Sequence, residues 1–254
     1  MSIPFDRAVL LCGHGSRDGE TLAEFDQFRA ALAARLAPQK VLSSYLEFAA
    51  PDIHAGLDQL YGQGARRIQA LPVMLYAASH VKRDIPRELE LFAQAHSDVS
   101  VAFGRELGLH DKLIAAATER IAVAERQTAR AVLRGDSLLL VIGRGTKEAK
   151  ANGEVSELAR RLAEEMGFGQ SAAGFAGSAA PNVAAALEAA AEQGCARVVL
   201  FPYFLFTGVL VKRVLAAMAE IALRHPRIEF IAAEHLKDHP LVIEALVERL
   251  GEMP

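Results

Sequence analysis

The 254-residue sequence lacks the features that mark several large classes of protein. Its two cysteines, Cys12 and Cys195, lie in unrelated contexts, which argues against a disulfide framework and against a structural zinc site. A formal net charge of −3 provides no basic surface for nucleic acid or for an anionic membrane. No apolar run reaches the roughly 18 residues that a membrane span needs. We therefore expect neither a nucleic-acid partner nor a membrane partner.

The composition is that of a folded globular chain. Hydrophobic residues make up 52% and charged residues 23% of the sequence, whereas disorder requires low hydrophobicity with high net charge. At this length the chain can form one large core or two small ones. The opening segment, MSIPFDRAVLLCGHGS, has neither a basic region nor a separate apolar stretch, so it predicts no signal peptide. We expect a cytoplasmic protein.

The sequence repeats itself at a fixed offset. Three blocks align without a gap at an offset of 130 residues: 13–18 with 143–148, 44–53 with 174–183, and 64–83 with 194–213. Near the ends the offset becomes 129, where Leu107 to His110 match Leu236 to His239. Three blocks that share one offset indicate a duplicated domain. We predict a site-bearing half at 1–130 and a degenerate repeat at 131–254.

Each half alternates short apolar runs with stretches of helical apolar spacing. In the first half, the run Ala8–Cys12 ends in a glycine-flanked turn, and Phe25, Phe28 and Leu32 then recur at helical spacing. Strands that alternate with helices indicate parallel βαβ units and a sheet covered on both faces. We predict an α/β fold of two tandem, duplicated, doubly wound parallel-sheet domains. Ligands of such sheets bind outside the carboxyl ends of the strands.

Three polar residues at predicted strand ends occur in the first half only. His14 corresponds to Arg144, Glu47 to Gly177, and His80 to Leu210. Because the carboxyl ends of neighbouring parallel strands meet at one edge, two imidazoles and a carboxylate should converge there. Such a set suits a first-row divalent metal and leaves coordination positions open. Glu47 is either a direct ligand or a residue that supports the ligands and handles protons.

Three motifs resemble one known family. They are Gly-His-Gly-Ser-Arg at 13–17, Leu-Glu-Phe-Ala-x-Pro-Asp-Ile at 46–53, and Leu-Pro-x-x-Leu-x-x-x-x-His-Val-Lys-Arg-Asp-Ile-Pro at 71–86. Together they look like the sirohydrochlorin chelatases of the CbiX/SirB branch of class II tetrapyrrole chelatases. The resemblance covers essentially the whole chain and is to the long, duplicated form.

The resemblance implies a lyase that inserts Co²⁺ or Fe²⁺ into sirohydrochlorin, in cobalamin or siroheme biosynthesis, without nucleotide hydrolysis. It implies that His14 and His80 are the catalytic, metal-binding histidines and that Glu47 accompanies them, in a cleft between the two domains. The divalent metal is then a co-substrate, and these ligand types would also accept Ni²⁺ or Zn²⁺ in vitro. An internal duplication removes the need for dimerisation, so we expect a monomer.

The family's substrate carries eight carboxylates, which cationic side chains should orient. Candidates from the sequence are Arg17, Lys82, Arg83, Arg144, Lys147, Lys212 and Arg213. Arg144 ranks first among them, because it occupies the position of His14 in the second repeat.

Other interpretations compete with this one. A metal-binding or metal-delivery protein would need the same ligands but no tetrapyrrole. Histidine phosphatases also place a histidine after a first strand, but Gly13 stands where their phosphate-binding arginine would be. No Walker-type or G-x-G-x-x-G loop follows any predicted strand, so no nucleotide cofactor is expected.

His110 and His239 echo each other before a helix, which favours capping or packing, and Cys12 is predicted to be a small buried residue.

Overall fold

The computed structural model describes residues 6–77 and 80–253, with only the backbone of His80. The chain divides into two compact units, one made of Met1–Gly108 with Val242–Pro254 and the other of Leu109–Leu241. Among the helices of the described residues, none has the length and apolar character required to cross a membrane.

Strands and helices alternate along the chain. The strands of the described residues are β1 (Arg7–Gly13), β2 (Lys40–Tyr45), β3 (Arg67–Pro72), β4 (Ser100–Phe103), β5 (Ser137–Gly143), β6 (Gln170–Phe175), β7 (Arg197–Pro202) and β8 (Glu229–Ala232). The helices of the same residues are α1 (Gly19–Leu36), α2 (Ile53–Gly62), α3 (Ile85–Ala95), α4 (Asp111–Arg126), α5 (Ala149–Met166), α6 (Val183–Glu192), α7 (Val209–Arg224) and α8 (Pro240–Gly251). A π-helical turn at His80–Asp84 precedes α3, and a 3-10 turn at Arg134–Asp136 precedes β5.

The two sheets have the same topology. The first has the order β2-β1-β3-β4 and the second the order β6-β5-β7-β8, with every pairing parallel. In the first sheet the strand order reverses between β1 and β3, and in the second it reverses between β5 and β7. Ligands of doubly wound sheets bind at such a point, outside the carboxyl ends of the strands. The predicted fold class of two tandem, doubly wound parallel-sheet domains is confirmed.

The central strands are apolar because helices cover both of their faces. Val9, Leu10 and Leu11 of β1 are fully buried, and so are the residues 139–142 of β5. Side chains of β1 and β3 pack with Leu57 of α2 and Phe92 of α3 in one core cluster. These buried strands hold the loops at their carboxyl ends in fixed positions.

Equivalent helices in the two repeats begin with equivalent N-cap side chains. Asp52 Oδ1 accepts a hydrogen bond from the Ala55 amide at 2.8 Å, and Asn182 Oδ1 accepts one from the Ala185 amide at 2.9 Å. Such N-caps satisfy amides that the helix itself leaves unpaired.

The paired histidines before α4 and α8 act in the same way. His110 Nδ1 accepts a hydrogen bond from the Lys112 amide at 3.2 Å, and His239 Nδ1 accepts one from the Leu241 amide at 3.3 Å. The predicted capping role of these two histidines is confirmed.

The last helices of the repeats are exchanged between the compact units. In the first unit, Arg249 of α8 donates hydrogen bonds to the carbonyl oxygens of Glu106 and Leu107, at 3.0 and 2.6 Å. In the second unit, Arg120 of α4 donates to the carbonyl oxygen of Leu236 at 3.1 Å. The predicted halves at 1–130 and 131–254 describe the repeat in the sequence. The compact units have different boundaries, at 108/109 and 241/242.

Candidate metal-binding site

His14 and Glu47 leave neighbouring strands at the carboxyl edge of the first sheet. The pairing of β1 with β2 continues past the strands, because the Leu46 amide donates to the Gly13 carbonyl and the Glu47 amide to the His14 carbonyl, both at 3.0 Å. His14 is half-buried and Glu47 is exposed. An imidazole and a carboxylate therefore start from adjacent backbone positions at the edge where ligands bind.

Gly15 allows these two loops to approach each other. Its φ of +87° lies in the left-handed region, and a Cβ placed there would stand 1.8 Å from the backbone oxygen of Glu47. Any side chain at residue 15 would have to push the Glu47 backbone away. The glycine after His14 is thus a geometric requirement for the proximity of His14 and Glu47.

His80, the third predicted ligand, begins the π-helical turn His80–Asp84 after β3. Its side chain lies outside the described residues, so the predicted trio of His14, Glu47 and His80 stays a prediction. Among the side chains that the structure does describe, no three His, Cys, Asp or Glu residues are grouped closely enough to hold a metal ion. π-Helical turns within helices are uncommon and recur at functional sites.

Phe48 packs against His14 at this edge. The two rings are nearly parallel, at 15°, with their centroids 6.2 Å apart. The guanidinium carbon of Arg17 lies 4.8 Å from the centroid of the phenyl ring, within the range of a cation–π contact. Phe48 also has a φ of 62° and is 53% exposed. We refer to His14, Phe48 and Arg17 as the edge stack.

A polar cavity of about 400 Å³ adjoins Glu47 in the first unit. Besides apolar residues, Asp52, His54, Asp84 and Glu88 line it together with Arg87. Its charge is mainly negative at neutral pH, which favours cations near the Glu47 carboxylate.

Cys12 lies below this edge and is not a candidate ligand. Its side chain is fully buried, and burial raises the pKa of the thiol to about 12, although a hydrogen bond from Ser44 opposes the shift. A metal ligand must be the thiolate, which this environment disfavours. The predicted role of Cys12 as a small buried residue is confirmed.

The second sheet repeats the backbone of this edge with other side chains. The Ala176 amide donates to the Gly143 carbonyl at 2.9 Å, as Leu46 does to Gly13 in the first sheet. Arg144 follows β5 and is exposed. A Cβ at Gly177 would come within 2.6 Å of the Arg144 carbonyl oxygen, so this loop has no room for the side chain that Glu47 carries.

The predicted substrate-binding cations have exposed positions near the strand ends. Arg17 follows β1, Lys82 lies in the π-helical turn, and Lys212 lies in the first turns of α7. Arg83, Lys147 and Arg213 are exposed as well. Contacts between these cations and a substrate are therefore proposals.

Sequence reasoning did not single out Phe48. The signal was present, because the 130-residue offset aligns Phe48 with Ser178 in the column next to that of Glu47 and Gly177. An aromatic residue present in only one repeat, beside the predicted ligands, could have been recognised from that column.

Comparison with known proteins identifies relatives over nearly the whole chain. The CbiX family model matches residues 8–124 and again 138–253. The chain is 30% identical over 247 residues to the sirohydrochlorin cobaltochelatase of Priestia megaterium, which covers 97% of the chain and 79% of that protein. It is 28% identical over 232 residues to the sirohydrochlorin ferrochelatase of the same organism, covering 91% and 85%.

A solved structure agrees with these sequence matches. SirB from Bacillus subtilis with Fe³⁺ superposes with a TM-score of 0.84 at 25% identity, covering 97% of this chain and 95% of that one. The family model matches both repeats separately, in agreement with the duplication predicted from the sequence. The chain therefore belongs to the CbiX family.

Proposed function

We propose that the protein is a sirohydrochlorin chelatase, a lyase that inserts Co²⁺ or Fe²⁺ into sirohydrochlorin without a nucleotide. The observation that carries the proposal is the adjacency of His14 and Glu47 at the carboxyl edge of the first sheet, in a chain whose full-length relatives are sirohydrochlorin chelatases. Within the proposal, the protein is a cytoplasmic monomer.

His14 has two tasks in this reaction. Its neutral imidazole binds the incoming ion, and once the ion has passed to the macrocycle the freed ring nitrogen can accept a proton, because the pKa of an imidazole lies near neutral pH. Insertion releases two protons from the pyrrole nitrogens as the divalent ion replaces them, so the charge balance closes without a redox step. His80 is proposed as the second imidazole for the same tasks.

Glu47 lowers the net charge of the bound ion and provides a second acceptor for the released protons. Its exposure suits a transient role, since an ion held by few ligands leaves readily for the macrocycle. The acidic residues around the adjoining cavity give the arriving cation a favourable potential.

Cationic side chains orient the carboxylates of the substrate. Arg17 lies next to His14 through the edge stack, and Arg144, Lys82 and Lys212 are proposed as further contacts. Arginine forms paired hydrogen bonds with carboxylates, so Arg17 and Arg144 fix orientation better than the lysines.

Co²⁺ and Fe²⁺ are both candidate substrates of the proposed site. The cobaltochelatase and ferrochelatase relatives are 30% and 28% identical to this chain, so both metals have a relative at similar identity. Imidazole and carboxylate ligands accept both ions, and also Ni²⁺ and Zn²⁺.

The test is anaerobic metalation of sirohydrochlorin, followed by the absorption spectrum of the tetrapyrrole. Purified protein is mixed with sirohydrochlorin and Co²⁺ or, separately, Fe²⁺, and the uncatalysed rate is subtracted. We expect His14→Ala and His80→Ala to lower the catalysed rate at least about 100-fold, the range of general acid–base catalysis. Glu47→Gln is expected to lower it by about tenfold or more.

The control is His225→Ala, which removes a histidine paired with Glu188 in the second unit. This variant should metalate at the wild-type rate. Tight Co²⁺ binding without any acceleration of metalation would overturn the chelatase proposal and leave a metal-delivery protein. Full activity in His14→Ala would remove that residue from the mechanism.

A further inference from the structure

Phe48 combines features that folding alone does not favour. Its φ of 62° is in the left-handed region, which a residue with a Cβ adopts at a cost, and the residue is 53% exposed. Neither burial nor backbone preference accounts for a phenylalanine at this position. Backbone strain of this kind is concentrated at functional sites.

Other exposed apolar residues lack this combination. Leu223 is 83% exposed on α7 and Leu133 is 75% exposed before the 3-10 turn, yet neither is among the described non-glycine residues with positive φ. Isolated exposed apolar side chains are ordinary on protein surfaces. Phe48 differs from them because its ring contacts a proposed metal-binding imidazole and a guanidinium.

We propose that Phe48 is a substrate-binding residue whose exposed ring stacks on the macrocycle of sirohydrochlorin beside His14. The inference rests on the proposed function. A flat, conjugated macrocycle is the type of ligand that an aromatic ring binds through stacking. Because the His14 ring lies only 6.2 Å from the phenyl ring, a macrocycle that contacts the exposed part of Phe48 is also close to the imidazole.

The phenyl ring also positions Arg17. The guanidinium lies 4.8 Å from the ring centroid, and this contact restricts a long and otherwise flexible side chain. Held in this way, Arg17 presents its donors to a carboxylate at the rim of a macrocycle that lies on Phe48. In the second repeat the equivalent residues are Ser178 and Lys147, which cannot form this stack.

The test measures binding of metal-free sirohydrochlorin by its fluorescence, with Co²⁺ affinity measured separately by calorimetry. We expect Phe48→Ala and Phe48→Gly to raise the Kd for sirohydrochlorin about tenfold, the size of an aromatic stacking contact. Phe48→Tyr should bind like the wild type, and Phe48→Leu should lie in between. The Kd for Co²⁺ should stay within about threefold of the wild-type value, because the phenyl ring provides no ligand atom.

Phe48→Gly separates a binding role from a structural one. Glycine adopts a φ of 62° without strain, so its Tm should equal or exceed that of Phe48→Ala while its affinity for sirohydrochlorin falls. Leu223→Ala, which removes an exposed apolar side chain from the second unit, is the matched control and should bind normally.

Each contrary result has a distinct meaning. Wild-type affinity in Phe48→Gly, or equal affinity in Phe48→Leu and Phe48→Tyr, would overturn the stacking role and leave the proposed function intact. Parallel losses of Co²⁺ and sirohydrochlorin affinity would make Phe48 a structural residue. A wild-type protein that binds no sirohydrochlorin would overturn both this inference and the proposed function.

Discussion

At the carboxyl edge of the first sheet, β1 and β2 are followed by an imidazole, a carboxylate and a phenyl ring. The matching positions after β5 and β6 hold Arg144, Gly177 and Ser178. The backbone beneath is the same, with equal strand registers and the same hydrogen bond from one loop to the other. Both repeats thus share the same backbone arrangement, and only the first carries the residues proposed to bind the metal ion.

The third strand shows the same contrast in the backbone itself. After β3, a five-residue π-helical turn leads into the eleven residues of α3, whereas α7 runs for sixteen residues as a regular α-helix. Both segments contain Val-Lys-Arg, so that sequence does not by itself require the π-helical turn. The irregular turn begins at His80, and the regular helix has Leu210 in its place. Irregular backbone accompanies the proposed site and is missing where the site residues are missing.

The largest expected effect comes from substituting the glycines that both edges share. Gly15→Ala places a Cβ 1.8 Å from a backbone oxygen of Glu47, whereas in Gly145→Ala the nearest atom is the Phe175 Cβ at 2.6 Å. We expect Gly15→Ala to lower the free energy of unfolding by about 3 kcal/mol and Gly145→Ala by about 1–2 kcal/mol. Urea unfolding of both variants measures the difference.

The same pair tests whether the chemistry resides in one repeat. Co²⁺ binding should be lost in Gly15→Ala, because Glu47 is displaced, and should be retained in Gly145→Ala. Calorimetric titration with Co²⁺ distinguishes the two. Equal losses of Co²⁺ affinity in both variants would contradict the assignment of the site to the first repeat.

A smaller effect is expected from Arg144, which stands where the first repeat has His14. Arg144→Ala should raise the Kd for sirohydrochlorin about tenfold, because one charged hydrogen-bond donor to a carboxylate is lost. Its Co²⁺ affinity should not change. Lys150→Ala, an exposed cation at the start of α5, serves as the control. Equal weakening of both ligands would remove Arg144 from the substrate site.

The smallest expected effect is on the pH dependence of stability, through the ion pairs of Glu252 next to α8. Hydrogen bonds from Arg105, and then from Arg249, hold the pKa of Glu252 at about 2. A carboxyl with a lowered pKa stabilises the fold above its ordinary pKa, and this contribution disappears as the pH falls from about 4.5 to about 2. Because Glu252 is 43% exposed, the contribution is below about 1 kcal/mol.

Glu252→Gln should therefore lose less stability than the wild type between pH 4.5 and pH 2, as measured by thermal melting across that range. Glu90→Gln, at an exposed position of α3, should melt like the wild type at each pH. An unchanged pH profile in Glu252→Gln would show that these ion pairs do not help to hold α8 on the first unit.

Much of the frame could be predicted from the sequence because the signals were local. Glycines around His14 marked the end of a buried strand, and the 130-residue offset tied each strand end to its counterpart. Parallel pairing then placed His14 beside Glu47, as the hydrogen bond between their backbones confirms. The capping histidines were predictable for the same reason, since each acts within two residues of its own position.

The exchange of α4 and α8 could not be predicted, because it depends on which sheet a terminal helix covers. Both helices bury an apolar face, and an apolar face does not specify which of the two sheets it packs against. The offset change from 130 to 129 just before these helices was visible, but it has no unique structural meaning. The left-handed backbone of Phe48 was likewise hidden, since phenylalanine gives no local signal for a positive φ.

Because of the exchanged helices, the residues of the two compact units are completed at different times during synthesis. The second compact unit is contained in Leu109–Leu241, so all of its residues are synthesised before the segment that begins at Val242. The first unit includes that later segment, in which Arg249 donates hydrogen bonds to the carbonyl oxygens of Glu106 and Leu107. Chains emerge from amino to carboxyl end at about 5–20 residues per second. The repeat that is translated first, and that carries the proposed site, is thus the last to be completed.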